Sequence, residues 1–348
     1  MSLPQELSPR IAALLAGAGL PATVRAIESC ARGGNNRTYR ITTNAGRFAA
    51  KHYFRHAGDA RDRLATEFAF LAYVEKVAPE FAPKPFAMDA DAGIALYEFV
   101  DGEPLQPGDV GAKEVAQAAA FFRAINTSGA KSHAARLPAA SEACFSINDH
   151  LDLIDARLAR LREIPPGSTE DEQAGNFIRE LSARWRGLAQ EVIELAFWAG
   201  ADPAQVLAIE QRCVSPSDFG FHNALRGMDG GLKFLDFEYA GWDDPAKMTG
   251  DFFAQVALPV PGGLFTAFVR DAMEPFGRPA ELARRARLLR PVYQVKWCCI
   301  ALNIFLPLQL ARRRFSDPGL DEAAAKQAQL AKAQALLLSL ERIDHGLH

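Results

Sequence analysis

The sequence predicts an α+β fold in two unequal parts, a small antiparallel sheet lobe with one helix followed by a large, mainly helical lobe. Three observations predict it. Short apolar runs bounded by turn residues crowd the first hundred positions, as strands do. Apolar residues three and four apart dominate the remainder, as helices require. One polar, extended stretch at 206–236 interrupts that helical half.

In order, residues 8–18 read as a short helix stopped by Gly17 and Gly19. Strand-like runs follow at 24–30, 37–43 and 47–54, the last two joined across Asn44-Ala45-Gly46 as a hairpin turn. Leu64, Phe68, Leu71 and Val74 mark a helix over 60–77. Strands are expected at 84–88 and 94–100, on either side of a turn around Asp89, Asp91 and Gly93. Past Asp101-Gly102-Glu103-Pro104 the pattern predicts helices at 110–127, 148–162, 170–198, 246–257, 262–275, 280–290, 291–304 and 320–343. The split at 290 follows from Pro291, which either starts a helix or kinks one.

The 348 residues are 49% hydrophobic and 23% charged, an ordinary globular balance able to bury a sizeable core. With 39 basic and 42 acidic residues the net charge is −3, which lacks the basic footprint of a nucleic-acid binder. The arginines at 284, 285, 287 and 290, and those at 312–314, read as solvated helix faces. The most apolar stretch, 298–311, is broken by Asn303, Pro307 and Gln309 and is shorter than the ~18 residues of a membrane span. Five cysteines without a CxxC pair suggest reduced, buried thiols. The expectation is a cytoplasmic chain with neither nucleic acid nor membrane as partner.

Chemistry concentrates in the 206–236 stretch. Asp218 and Asn223 stand five apart, and a hairpin across the glycine-rich turn at 227–231 would return Asp236 beside them. Gathered carboxylates repel unless a cation or proton lies between them. Asp and Asn oxygens suit a hard ion such as Mg²⁺, which takes few protein ligands; zinc is disfavoured because His222 is the single nitrogen ligand there. Asx residues that merely close turns are the alternative for either residue taken singly. In the first lobe Lys51 ends an apolar run, and Glu67 lies on the apolar stripe between Leu64 and Leu71. An acid on a buried face needs a cation, and Lys51 is the obvious one; a Glu that snorkels to solvent is the even alternative. Between the first two strands, Gly33-Gly34-Asn35-Asn36 allows backbone amides to approach an anion.

Taken in order these pieces resemble the aminoglycoside phosphotransferase and choline kinase family, small-molecule kinases of protein-kinase-like fold, from about residue 30 to about 255. The resemblance implies a bilobal enzyme, with residues 1–100 the nucleotide-binding lobe and 101–348 the helical lobe carrying the catalytic loop and acceptor site. It implies ATP and Mg²⁺ as cofactors and a small-molecule hydroxyl as acceptor, aminoglycoside-, choline- or sugar-like. Gly33, Gly34, Asn35 and Asn36 resemble the family's nucleotide loop, Lys51 its phosphate anchor and Glu67 the acid that orients the anchor. The connector Leu96-Tyr97-Glu98-Phe99-Val100 is similar to the adenine-gripping hinge, which places Glu98 and Val100 at the cofactor. Asp218 matches the catalytic acid, and Asn223 and Asp236 match the metal ligands. Glu238, Tyr239, Trp242 and Asp243 are candidate acceptor contacts, as are Tyr293 and Trp297 on the 291–304 helix, where core packing is the better expectation. Arg287 and Arg290, just before that helix, would instead favour an anionic or sugar-like acceptor.

One departure stands out: Pro216 and Ser217 occupy the places of the family's His-Gly. It motivates a second reading, a catalytically inactive ATP-binding module. A third, a metal hydrolase using Asp218, His222 and Asp236, leaves Lys51, Glu67 and the glycine loop without a role.

Overall fold

The computed structural model describes residues 7–20, 23–30, 36–55 and 61–343. Helix α1 (Leu7–Gly17) packs on one face of a five-stranded antiparallel sheet built from β1 (Val24–Ser29), β2 (Arg37–Thr43), β3 (Gly46–His52), β4 (Pro85–Asp89) and β5 (Ile94–Glu98), in the order β1-β2-β3-β5-β4. Alternation along β3 decides what each face holds. Phe48 and Ala50 join Ile11, Leu15, Ile41 and Leu96 in a core beneath α1. Lys51, one residue on, takes the opposite face, where α2 (Arg63–Val77) lies. Asp62 caps α2 by accepting from the Ala65 amide, and Leu64, Glu67, Phe70, Leu71 and Val74 form its buried stripe.

The helical lobe begins beyond residue 102 with the two-residue strand β6 (Glu103–Pro104), then α3 (Ala112–Ala124), α4 (Ser128–Lys131), α5 (Ile147–Leu161) and α6 (Thr169–Trp198). Four short strands replace helix in the middle: β7 (Cys213–Ser215), β8 (Ala224–Arg226), β9 (Leu232–Phe234) and β10 (Gly241–Asp243). β8 pairs with β6 and β9, and β10 pairs with β7, all antiparallel. The chain closes with α7 (Pro245–Ala254), α8 (Phe265–Met273), α9 (Pro279–Ala301), α10 (Pro307–Ser316) and α11 (Glu322–Leu338).

Of the two outcomes expected at Pro291, a new helix does not occur, because α9 runs through it as one helix of 23 residues. A proline inside a helix costs about 3 kcal/mol. Here Leu288, Leu289, Val292, Tyr293 and Val295 are all buried on both sides of it, and that apolar burial outweighs the lost hydrogen bond. The sequence reading also passes over α10, which Pro307 starts from its first turn, where a proline has no amide to lose. It overruns the last helix, which ends at 338 rather than 343. All five cysteines are free and four are buried. Among the described residues no single helix is long and apolar enough to cross a membrane.

Candidate active site

Strand β3 and helix α2 bring Lys51 and Glu67 together inside the first lobe. Lys51 is 8% exposed, with Nζ 2.6 Å from Glu67 Oε2 and 2.5 Å from Asp236 Oδ1. Glu67 also accepts from Tyr53 Oη at 2.7 Å and from the Phe237 amide at 3.2 Å, so it ties the strand to the segment that carries Asp236. Tyr53 and Tyr97 share a further hydrogen bond at 2.7 Å. Burial on its own would lower the Lys51 ammonium; Asp236, Glu67 and Glu238 outweigh it and hold the group well above its ordinary value. Lys51 is therefore a fixed cation facing several acids.

The three polar residues of the 206–236 stretch also converge. Asp218 lies in the loop after β7, and Asp236 stands two residues beyond the end of β9. The β8–β9 hairpin returns the chain so that Leu235 N donates to Asn223 O at 2.8 Å. Asn223 Nδ2 donates to Asp218 O at 3.0 Å, and His222 Nε2 stands 3.5 Å from Asp218 Oδ1. Ser217 and Asp236 both take left-handed backbone, φ 65° and 67°, the sharp turns that aim the two loops at one another. Asp218, Asn223 and Asp236 line a single cleft of about 450 Å³.

The donor set suits magnesium. With Nδ2 of Asn223 engaged, its side-chain oxygen is the atom left to bind, beside the Asp236 carboxylate. Among the described residues no three His, Cys, Asp or Glu side chains gather as a cation cage. Two oxygen ligands with the rest of the shell left to water and phosphate is the pattern Mg²⁺ favours.

The remaining predicted residues divide. Gly33, Gly34 and Asn35 lie outside the described residues. Asn36 accepts from the Phe54 amide at 3.2 Å and donates to Glu238 at 2.6 Å. Glu98 ends β5 with its carboxylate 3.1 Å from Lys233, and Val100 is half-buried on the connector between the lobes. Of the four acceptor candidates near Asp236, only Tyr239 lines the cleft, with the guanidiniums of Arg61 and Arg63 over its ring. Glu238 is buried between Asn36 and Arg63, and Trp242 donates to Ala134 O at 3.1 Å. Asp243 turns inward, 2.7 Å from Lys247, and accepts from the Cys144 and Asp244 amides. The β7–β10 pairing and the start of α7 at Pro245 direct these side chains into the lobe.

Tyr293 is core, bonded to His150, whereas Trp297 reaches the cleft and donates to Asp251 at 2.9 Å. Arg290 pairs with Glu341 at 2.7 Å and is not among the residues lining the cleft, nor is Arg287. The solvated-face reading of the arginine runs needs correction. Arg285 reaches the buried Asp244 at 2.5 Å, and Arg312, 6% exposed, lines the cleft together with Arg313. Sequence reasoning missed Arg157 and Arg160 on α5, which also line it. Their three-residue spacing placed them on one helix face, but nothing local said which face met the site.

Comparison with known proteins gives a consistent result. A search of curated proteins finds no match. Among solved structures the chain is similar to the ethanolamine kinase of Plasmodium vivax (TM-score 0.57, 14% identity, covering 94% of this chain and 88% of that one). It is similar to the choline kinase of Streptococcus pneumoniae (TM-score 0.55, 15% identity, 96% and 98%). It is also similar to a spectinomycin phosphotransferase in complex with ADP and spectinomycin (TM-score 0.56, 12% identity, 94% and 98%). At such identities the likeness carries the fold, which is that of the protein-kinase-like small-molecule kinases. The model of the phosphotransferase enzyme family (APH) matches residues 26–247, well over half of the sequence. With its two lobes and that match, the chain belongs to the phosphotransferase enzyme family and is a small-molecule kinase.

Proposed function

We propose that the protein transfers the γ-phosphate of ATP, with Mg²⁺, to a hydroxyl group of a small molecule. Residues 1–100 would hold the nucleotide, its adenine against the backbone at Glu98 and Val100 and its phosphates under the loop at 33–36. Residues 101–348 would supply the catalytic loop and the acceptor site. The observation that carries this reading is the convergence of Asp218, Asn223 and Asp236 at one cleft, with Lys51 bonded to Asp236 and to Glu67 behind it.

Phosphoryl transfer passes through a loose transition state, so positioning and charge neutralisation matter more than covalent help. Lys51 keeps its bond to Glu67 and turns from Asp236 to the phosphate oxygens. Glu67, tied by Tyr53 and the Phe237 amide, acts as a positioning residue that fixes the ammonium. Asn223 and Asp236 would hold the metal, which would supply neutralisation of charge on the phosphate oxygens. Asp218 receives the proton of the attacking hydroxyl. As the new O–P bond forms, the bond from the γ-phosphorus to the bridging oxygen breaks, and ADP leaves with that electron pair.

The inactive reading draws on Pro216 and Ser217. Ser217 nevertheless adopts the left-handed turn that a glycine would take there, and its amide donates to Ser215 Oγ at 3.0 Å. That supports a catalytic loop held in its working geometry. The test is transfer of labelled γ-phosphate to a panel of small alcohols. Asp218→Asn is expected to lose about 10²–10⁴-fold in rate, the usual worth of a general base. Equal transfer by both proteins would remove Asp218 from its role. Mg²⁺-dependent stabilisation by ATP without any transfer would favour the inactive module.

A further inference from the structure

Beyond Asp218 the walls of the cleft come from α5, α9, α10 and α11, and their charge is mostly of one sign. Among the described residues the lining holds seven cations against four carboxylates, two of which, Asp218 and Asp236, belong to the reacting centre. The other two are already matched. Glu142 pairs with Arg157, and Asp251 accepts from Lys296 at 2.7 and 2.9 Å and from Trp297. This wall is suited to an anion.

Arg157 sharpens the point. It is only 8% exposed, and one nitrogen serves Glu142. Its Nε and Nη1 are buried with no hydrogen-bond partner among the described residues. Buried donors left unmet cost free energy, and a charged oxygen acceptor reaching either one would recover it. Arg160 lies three residues further along α5, a spacing at which like charges repel. Burial and the Arg157 charge together draw its guanidinium below the ordinary value. Lys332 of α11 and Arg313 of α10 complete the basic side. Asn303 Oδ1, buried and without a partner among the described residues, lines the same cleft and would accept from a hydroxyl.

We propose that this recess takes an anionic group, a carboxylate or a phosphate, carried by the hydroxyl compound that accepts the phosphoryl group. The acceptor is then a hydroxy acid or a phosphorylated polyol rather than an amine. The proposal rests on the phosphotransferase reading of the reacting centre, though not on its metal or nucleotide assignments.

A matched set of probes tests it on the full chain: glucose, glucosamine, glucuronate and glucose 6-phosphate, with affinity read by calorimetry and transfer by labelled ATP. Glucuronate or glucose 6-phosphate is expected to bind at least about tenfold more tightly than glucose and glucosamine, and whichever of the two wins identifies the anion. Arg160→Ala should remove about tenfold of that preference with ATP affinity unchanged. Because Arg157→Gln alone strands Glu142, the double variant Glu142→Gln with Arg157→Gln keeps the second test clear of misfolding, and it should raise KM for the anionic acceptor more than it lowers kcat. Glucosamine or glucose binding as tightly as both anions overturns the proposal, and so does an Arg160→Ala protein with unaltered anion affinity, or failure of both anions to bind. Anion binding that depends on Arg160, without transfer to any probe, sinks the kinase reading and leaves the recess standing. Transfer with a preference for glucosamine does the reverse.

Discussion

Two lysine–carboxylate clusters flank the segment from Asp236 to Asp251, and they differ in one respect that separates chemistry from scaffolding. In the first, Lys51 meets Glu67 and Asp236, and the Asp236 side chain remains 31% exposed at the cleft. In the second, Lys247 meets Asp243 at 2.7 Å and Asp251 at 3.5 Å, with Lys247 and Asp243 exposed by 1% or less. The closed cluster is saturated: Asp243 also accepts two backbone amides and Asp251 also accepts from Lys296 and Trp297. The open cluster keeps a carboxylate available to something that is not protein. Burial of charge is common to both, so burial alone does not mark a functional site.

The sharpest way to break this contrast is to remove each lysine. Lys51→Met should cost about 10²–10³-fold in phosphoryl transfer, the usual loss when one preorganised charge-stabilising donor goes. Stability should fall as well, because Glu67 is buried and loses its cation while it keeps Tyr53 and the Phe237 amide, so transfer is the readout that separates the two lysines. Lys247→Met should destabilise by about 3–5 kcal/mol, because it strands a fully buried carboxylate. Its folded fraction should still transfer phosphate. Urea melts and a transfer assay on both proteins decide the matter. If Lys247→Met melts like wild type, or Lys51→Met turns over normally, the division between the clusters is wrong.

Acid should expose the difference next. Burial alone would raise Glu142, but Arg157 outweighs it and holds the carboxyl down to about 2. Burial likewise opposes ionisation of Asp244, and Arg285 and His150 more than reverse it, holding that group below the usual carboxylate range. A depressed carboxylate contributes stability above its unfolded value and loses it as pH falls through the folded one. Glu142 therefore contributes fully above about pH 4.5 and fades toward pH 2. His150 adds to the trend: burial keeps its imidazole below 6.5, against the pull of Asp244, so protonating it costs stability from there downward. Urea midpoints should fall from pH 7 to pH 5 and more steeply from pH 5 to pH 3. Glu142→Gln should flatten the lower part of that curve, and an unchanged slope would contradict the pairing with Arg157.

What the sequence could show follows the same line. Lys51 and Glu67 were legible because strand alternation and helix spacing are local rules, and both residues obey them. Asp218, Asn223 and Asp236 were legible because a glycine-rich hairpin has few ways to return. Asp243 was misplaced because nearness to Asp236 in sequence says nothing about which side of the β10–α7 corner faces the cleft. Pro291 leaves its helix unbroken because a local rule meets a tertiary one, the burial of apolar residues on both sides of it. The basic wall was invisible for a different reason. Arg157, Lys296, Arg313 and Lys332 come from four helices spread over 176 positions, and no local pattern records that they meet.

The smallest expected effect concerns the departure from the family at Ser217. Its φ of 65° is a conformation that costs an L-residue roughly 1–2 kcal/mol and glycine almost nothing. Glycine loses more backbone freedom on folding, by roughly 0.5–1 kcal/mol. Ser217→Gly is therefore expected to stabilise by about 0.5–1 kcal/mol, the first effect exceeding the second. The Ser217 amide would still donate to Ser215 Oγ, so the loop that carries Asp218 keeps its anchor and transfer should change by less than about twofold. A chemical melt with the assay alongside tests both halves. Destabilisation would mean that the serine hydroxyl makes an interaction worth more than the strain. A large gain in rate would mean that Ser217 holds this active site back.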